Sequence, residues 1–256
     1  LGFLNARKYS KILQSADLII SATSFFTGAM ERITSLSDAK IILNHAGSVE
    51  SYRSFALTKH HRPLNFDIKE SLYVNYCKQF DGLLFQAEGQ AKECEQQSPL
   101  LSNLPIVIKP SCEEKKVLSA RKSENPFLKD TFNIVNIGSI QERKAQEFSI
   151  NAVYRLVKDY PNIHLHFVGV IFEENYYEQL QKMIGYNLQD NIHFYGHRYD
   201  YLRFLAHADI LLQTSRAEGV SRVIRESMLI RTLIVSFKIS GIDTTLNQDE
   251  AILIEP

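Results

Sequence analysis

Two glutamates, Glu218 and Glu226, stand with seven residues between them, the first of them in a small, polar loop at 214–219. Taken alone they read as an acid–base couple or as paired acceptors for hydroxyl groups, because an ionised carboxylate only accepts hydrogen bonds. A plainer reading pairs Glu226 with Arg222 at i, i+4 and makes Glu218 an acidic residue ahead of a helix start, and for two isolated glutamates it prevails. Adjacent cations, Arg143 and Lys144, follow a short turn containing Gly138 and Ser139. Such a pair would stabilise an anionic leaving group as its charge builds up. His45 closes an apolar run in KIILNHAGS. His193 and His197 have the spacing of a metal pair, but NIHFYGHRYD reads as strand and turn, so a structural role outweighs a metal.

The elements that must position these groups are short apolar runs alternating with longer amphipathic ones. Strands are expected at 17–22, 40–44, 81–86 and 105–109, and again at 133–137, 163–168, 192–195, 209–213, 233–237 and 251–254. Most lack strict alternation, as strands buried on both faces of a parallel sheet do. Between them, Phe148, Ala152, Leu156 and Tyr160 recur every four residues beside Val153 and Val157, which predicts a helix with that stripe on a sheet and Pro161 ending it. Repeated strand–helix–strand units predict a doubly wound α/β architecture. Within it, the run 208–236 reads as strand, loop, helix and strand. Its loop lies at the carboxyl end of the sheet, and the N–H groups of Ser221, Arg222 and Val223 open the helix toward an anion.

The polar stretch SARKSENPFLKD separates two such patterns. The expected organisation is a first Rossmann-like domain at 1–120, a linker at 121–127 and a second domain at 128–256. The first domain has four expected strands behind a helix-like opening at 3–15, and the second stops on the strand AILI. Truncation at both ends is therefore expected. The 29 basic residues equal the 29 acidic ones, which argues against a broad nucleic-acid or anionic-membrane footprint. The three cysteines, Cys77, Cys94 and Cys112, form neither a disulfide framework nor a zinc pattern and point to reduced thiols in a cytoplasmic protein. No apolar run is long enough to span a bilayer, so any membrane association would be peripheral, at its inner face.

The string ADILLQTSRAEGVSRVIRESMLIRTLIVS resembles the signature of the retaining glycosyltransferases of family 4, which have the GT-B fold: two Rossmann-like domains facing a cleft. It has the Ala-Asp strand, the Ser, the Glu-Gly, a second glutamate in Glu-Ser-Met with seven residues between the two, and the closing β-branched strand. The turn NIGSIQERKAQ is similar to the family's Gly-x-x-x-x-x-Lys pattern. HFVGV and NIHFYGHRYD resemble its Val-Gly and Phe-x-Gly turns, and QAEGQ resembles its strand-end Ser-Glu segment with Ala87 in place of Ser.

The resemblance implies a role for each position. Glu218 would accept hydroxyl hydrogen bonds from the transferred sugar, Gly219, Val220 and Ser221 would contact that sugar, and Arg222 and Val223 the diphosphate. Glu226 would accept from the ribose hydroxyls. Gly138, Ser139, Arg143 and Lys144 would form the diphosphate clamp, Gly169 would edge the base pocket, and main chain near His197 and Arg198 would read the base. His45 would reach the donor sugar across the cleft. Ser221 stands where members often have Gly, and Ser139 where many have Arg, whose charge Arg143 would supply.

The implied activity is transfer of a sugar, with retention, from a nucleoside-diphosphate-sugar to a glycan, lipid or small-molecule acceptor. No cofactor is expected beyond the donor as co-substrate. The sequence has no Asp-x-Asp metal pair, no Gly-x-Gly-x-x-Gly and no Walker motif, which favours a metal-independent transferase over a nicotinamide enzyme or an NTPase. The alternative is a catalytically incomplete fragment that binds the nucleotide-sugar. A GT-B epimerase is disfavoured by the paired-glutamate string.

Overall fold

The structure, a computed structural model, describes residues 14–21, 38–45, 80–86, 88–97, 103–109, 112–218, 220–239, 241–242 and 245–256. Gly219, Cys77, Ala87 and most of segment 3–15 lie outside the described residues. The chain forms two compact units, Leu1–Pro110 and Ser111–Pro256.

The first unit contains a parallel sheet of β1 (Leu18–Ser21), β2 (Lys40–His45), β3 (Gly82–Phe85) and β4 (Ile106–Ile108), in that spatial order. Helix α1 (Glu88–Gln97) follows β3. Phe85 and Leu83 are fully buried, consistent with a central strand covered on both faces. His45 is the last residue of β2, in register with Phe85.

The second unit is built on six strands: β5 (Phe132–Ile137), β6 (Ile163–Val168), β7 (Ile192–Phe194), β8 (Ile210–Gln213), β9 (Leu233–Phe237) and β10 (Ile252–Ile254). All pair in parallel, in the order β10-β9-β8-β5-β6-β7. All ten described strands fall on the runs expected from sequence, because strands sandwiched between helices must be apolar on both faces. On β5, Ile134 joins one core cluster while Val135 and Ile137 join the other. Fully burying side chains such as Val135, Leu165 and Leu211 contributes about 1.5–3 kcal/mol each.

Helix α2 (Glu114–Ser119) and a 3-10 turn at Ala120–Lys122 lie within this second unit. Val117 is buried in its core, and Ser123 O accepts a 2.7 Å hydrogen bond from His207 Nε2. Phe127 packs against the His166 ring, tilted by 37° with centroids 4.4 Å apart. Residues 121–127, expected as a linker, are thus attached to the second unit, whose start lies upstream at Ser111.

Helices α3 (Gln146–Leu156), α4 (Glu174–Ile184), α5 (Tyr201–His207) and α6 (Arg222–Ile230) complete the described helices. The stripe expected on α3 is corrected. Gln146, Ser149, Ile150 and Val153 are its buried residues, while Phe148, Leu156 and Tyr160 are exposed. A strict four-residue repeat drifts around a helix of 3.6 residues per turn, so those aromatics move off the sheet face. Among the described residues no helix is long and apolar enough to cross a membrane.

Candidate active site

From β5 the second sheet grows outward through β6 and β7, and the chain then returns to place β8 on the other side of β5. Between β5 and β8 the strand order therefore reverses, and a crevice opens outside their carboxyl ends. The two loops leaving these strands, 138–145 and 214–221, line a cavity of about 550 Å³ there.

Hydrogen bonds lock the loops to each other. Arg216 N donates to Arg143 O at 2.9 Å, Thr214 Oγ1 to Lys144 O at 3.2 Å, and Arg216 Nη1 to Glu142 O at 2.6 Å. Arg143 Nη1 donates back to Ala217 O. Glu147 holds Arg216 by an ion pair and accepts from the Tyr176 hydroxyl. Beneath them, Asn136 donates to Leu212 O at 3.0 Å and to Ser149 Oγ at 3.2 Å, tying β5 to β8. A Cβ at Gly169 would sit 1.9 Å from Gly138 O, a separation no side chain permits. Only glycine lets β6 end this close to the loop after β5.

Glu218, 7% exposed, lines this cavity. Lys144 Nζ donates to its Oε1, Ser215 Oγ does so at 2.7 Å and Gln213 Nε2 at 2.9 Å. Arg143 Nη1 lies 3.6 Å from Oε2. Burial alone would push this carboxyl up, but the charges of Lys144 and Arg143 and the hydrogen bonds from Lys144 and Ser215 outweigh it. The group is held below the usual carboxylate range.

Glu226, 4% exposed, lines the same cavity from α6. The Tyr201 hydroxyl donates to Oε1 at 2.7 Å, and Arg222 Nε lies 3.5 Å from the same oxygen. The i, i+4 pair read from sequence thus forms, and it engages one oxygen. Oε2 is buried without a hydrogen-bond partner among the described residues. Burial pushes this carboxyl up, only partly offset by the Tyr201 hydrogen bond and the charges of Arg222 and Lys116. Ser221 caps α6 in an extended conformation and makes no side-chain hydrogen bond to the first turn. The opening N–H groups of a helix carry positive partial charge.

The cavity gathers Gly138, Ser139, Lys144, Gly169, His197, Arg198, Glu218, Val220, Ser221, Arg222, Val223 and Glu226 from the sequence-expected set. Arg143 reaches it through Glu218. His45 belongs to the other unit. Arg198 forms a two-pronged ion pair with Asp200, both contacts 2.8 Å, and His197 meets the Tyr199 ring edge-on at 4.7 Å. His193 and His197 do not converge. His193 instead stacks with His164 and His166, at 5.3 and 5.0 Å between centroids. His166 is buried with Tyr195 OH and Asn133 Oδ1 at its ring nitrogens, 3.1 and 2.9 Å away. Burial and the two neighbouring imidazoles push its pKa down to about 3. Burial raises the Cys112 thiol, away from nucleophilic use.

Sequence reasoning missed Lys116, Tyr199 and Tyr201, which also line the cavity. Lys116 and Tyr201 come from helices whose local strings, EEKKVLS and DYLRFLAH, carry no ligand-binding pattern.

Comparison with known proteins places this geometry. A glycosyltransferase of Methanocaldococcus jannaschii, itself described as uncharacterized, is 26% identical over 210 residues, covering 77% of this chain and 51% of the relative. The chain thus spans about half the length of this curated relative. Among solved structures, Anabaena HepE in complex with UDP and glucose matches with a TM-score of 0.77 and 18% identity, over 98% of this chain and 67% of its own. Sucrose-phosphate synthase from Thermosynechococcus elongatus gives a TM-score of 0.79 and 16% identity, over 99% of this chain and 64% of its own. These likenesses give the fold, the α/β GT-B class with its parallel sheets. The model of the glycosyl transferases group 1 matches residues 119–256, more than half of the sequence and nearly all of the second unit. The chain belongs to the glycosyl transferases group 1 family.

Proposed function

We propose that this chain binds a nucleoside-diphosphate-sugar in the cavity of its second unit and transfers the sugar, with retention and without a metal, to an acceptor hydroxyl. The observation that carries this reading is the convergence of Lys144 and Arg143 on buried Glu218, with Glu226 lining the same 550 Å³ cavity. Two cations and the first turn of α6 would stabilise the diphosphate as the sugar–oxygen bond breaks and its electron pair leaves with the phosphate. That assigns to protein charges what a metal does elsewhere. Glu218, held ionised, has no proton to give. It accepts hydroxyl hydrogen bonds and fixes both cations in place. Glu226, lining the same cavity, accepts from ribose hydroxyls in this reading. The nucleotide half of the donor is supported by the relative HepE, solved with UDP-glucose, and by a relative from E. coli bound with UDP-2-fluoro glucose. The first unit, with His45 at the end of β2, takes the acceptor side in this reading.

Donor hydrolysis tests it. Release of UDP, ADP or GDP from the corresponding glucose donors is measured for the wild type and for Lys144→Ala. Expected is turnover with one base preferred and a fall of about 10²–10³ in kcat for the variant. The product from a transferred sugar keeps the donor's anomeric configuration by NMR, and chelator leaves the rate unchanged. Full activity in Lys144→Ala removes the assignment. Saturable UDP binding without turnover by the wild type supports a fragment that binds the donor only.

A further inference from the structure

Arg216 does not line the cavity, yet it is bonded at two successive carbonyls to the turn that carries Arg143 and Lys144. Its backbone N–H donates to Arg143 O at 2.9 Å, and its Nη1 to Glu142 O at 2.6 Å. Thr214 Oγ1 takes the next carbonyl, Lys144 O, at 3.2 Å, so one loop holds three consecutive carbonyls of the turn. The other guanidinium arm, Nη2, pairs with Glu147, whose second oxygen accepts from the Tyr176 hydroxyl. The guanidinium lies 5.4 Å over the Phe148 ring, which itself meets Phe237 edge-on at 5.2 Å. The turn needs such an anchor. Ala145, which closes it, is fully buried with φ 51° and ψ 46°, a left-handed conformation that a residue with a Cβ holds only where its surroundings impose it. The hydrogen bond closing the turn runs from Ala145 N to Glu142 O at 3.1 Å, so Arg216 grips the same carbonyl. An ion pair with Glu147 alone would contribute little, since both side chains are partly solvated. What Arg216 decides is where the backbone of 142–144 sits.

We propose that Arg216 is a positioning residue: acting through the backbone of 142–144, it sets Lys144 and Arg143 against Glu218 and so fixes how strongly the site stabilises negative charge. The part that concerns sugar transfer rests on the donor-site reading above. Lys144 Nζ donates to Glu218 Oε1, and Arg143 Nη1 donates to Ala217 O and stands 3.6 Å from Glu218 Oε2. These donors run from the loop after β5 to the loop after β8, and those of Arg216 run back the other way. Releasing the Arg216 donors frees the turn to carry its two cations away from Glu218. The other donors to Glu218, Ser215 Oγ and Gln213 Nε2, do not belong to the turn and stay in place. A guanidinium suits the task because its planar fork serves a carbonyl and a carboxylate at fixed angles, which a single ammonium does not. The effect falls on placement, where a displacement of about 1 Å costs about 10²-fold in rate.

The test takes two readings on the wild type, Arg216→Ala, Lys144→Ala and the double variant. The first needs no substrate: the Glu218 carboxyl is titrated by heteronuclear NMR, with Glu218→Gln assigning its signal. It should titrate below the ordinary carboxylate range in the wild type and rise in Lys144→Ala. Arg216→Ala should raise it in the same direction and add little in the double variant. The second reading is hydrolysis of the preferred nucleoside-diphosphate-glucose. Arg216→Ala should lower kcat about 10²-fold with KM nearly unchanged. The double variant should lose far less than the product of the two single losses, because independent damage multiplies. Should the alanine variant not fold, Arg216→Lys keeps the charge beside Glu147 but not the fork, and should show both changes in weaker form. An unmoved Glu218 titration in a folded Arg216 variant, or losses that multiply, would make Arg216 structural only and overturn the proposal while leaving the donor site standing. A wild type that turns over no donor overturns the transfer part together with the donor-site reading. A Glu218 titration still moved by Arg216→Ala then upholds the positioning itself.

Discussion

Glu218 and Glu226 are buried to nearly the same degree in one cavity, yet their surroundings drive them in opposite directions. Glu218 has two cations and three donors, and its charge is held more firmly than in water. Glu226 has one phenol and one largely exposed guanidinium, both on the same oxygen, and burial prevails. Depth of burial therefore does not decide the state of a carboxylate. The number and placement of counter-charges does. The first end is a settled ion cluster that fixes Arg143 and Lys144. The second keeps an acceptor in reserve.

The largest effect that could break this contrast comes from neutralising each glutamate in turn. Glu218→Gln leaves two half-buried cations facing an amide and should destabilise the second unit by about 3 kcal/mol, the low end for removing one partner of a buried pair. Glu226→Gln removes a charge that burial disfavours and should be neutral or up to about 1 kcal/mol stabilising at pH 7. The pH dependences have opposite signs. The folded-state pKa of Glu218 is lowered, so its contribution is in place above the ordinary carboxylate range and is lost as pH falls through the folded value. For Glu226 it is raised, so its contribution is present below that range and lost as pH rises through the folded value. Urea unfolding at pH 4, 5 and 7 reads both. Equal destabilisation by the two variants would end the distinction.

Much of this site is written locally. The loops after β5 and β8 each carry their residues in one short string, and a strand between helices has to be apolar throughout, so 133–137 and 209–213 were visible from composition alone. What was not visible depends on the crossover that sets β8 beside β5. Tyr201 meets Glu226 across 25 positions, and Lys116 comes from a helix just before the expected linker. Nothing in YLRFLAH says which helix it will face. The stripe Phe148–Tyr160 failed because its four-residue spacing outruns the helix period, and Phe148 packs instead under the Arg216 guanidinium, 5.4 Å over its ring, and edge-on against Phe237 at 5.2 Å. Residues 121–127 looked free because they are polar, while Phe127 anchors them against His166 and Phe204 and Ser123 against His207.

The histidine stack on β6 and β7 sharpens the same lesson, since burial is the largest cause of the shift of His166, as it is for Glu226. Its pKa is pushed down to about 3. The unfolded chain then binds more protons than the folded one between about pH 6.5 and pH 3, so stability is full above 6.5 and falls through that window. About 2 kcal/mol should go between pH 6.5 and pH 5, with His164 and His193 acting in the same direction. Amide exchange of β6 at the two pH values measures it, and His166→Gln should flatten the slope. A slope unchanged in that variant would place the acid sensitivity elsewhere.

The smallest effect is the most exposed part of the Glu226 end. Arg222 reaches Oε1 at 3.5 Å with its side chain 64% exposed. A solvated i, i+4 pair contributes little, because water screens the attraction and the long side chain loses freedom in making it. Arg222→Gln should therefore alter stability by less than about 0.5 kcal/mol, and the difference should vanish in about 1 M salt, where the screening length is roughly 3 Å. The Glu218 cluster should keep its effect under the same salt, being shielded from the ions that screen Arg222. Unfolding curves of Arg222→Gln and Glu218→Gln at low and high salt compare the two directly. A salt-resistant loss in Arg222→Gln would mean that the guanidinium neutralises Glu226 as Lys144 neutralises Glu218, and the two ends of the cavity would differ only in degree.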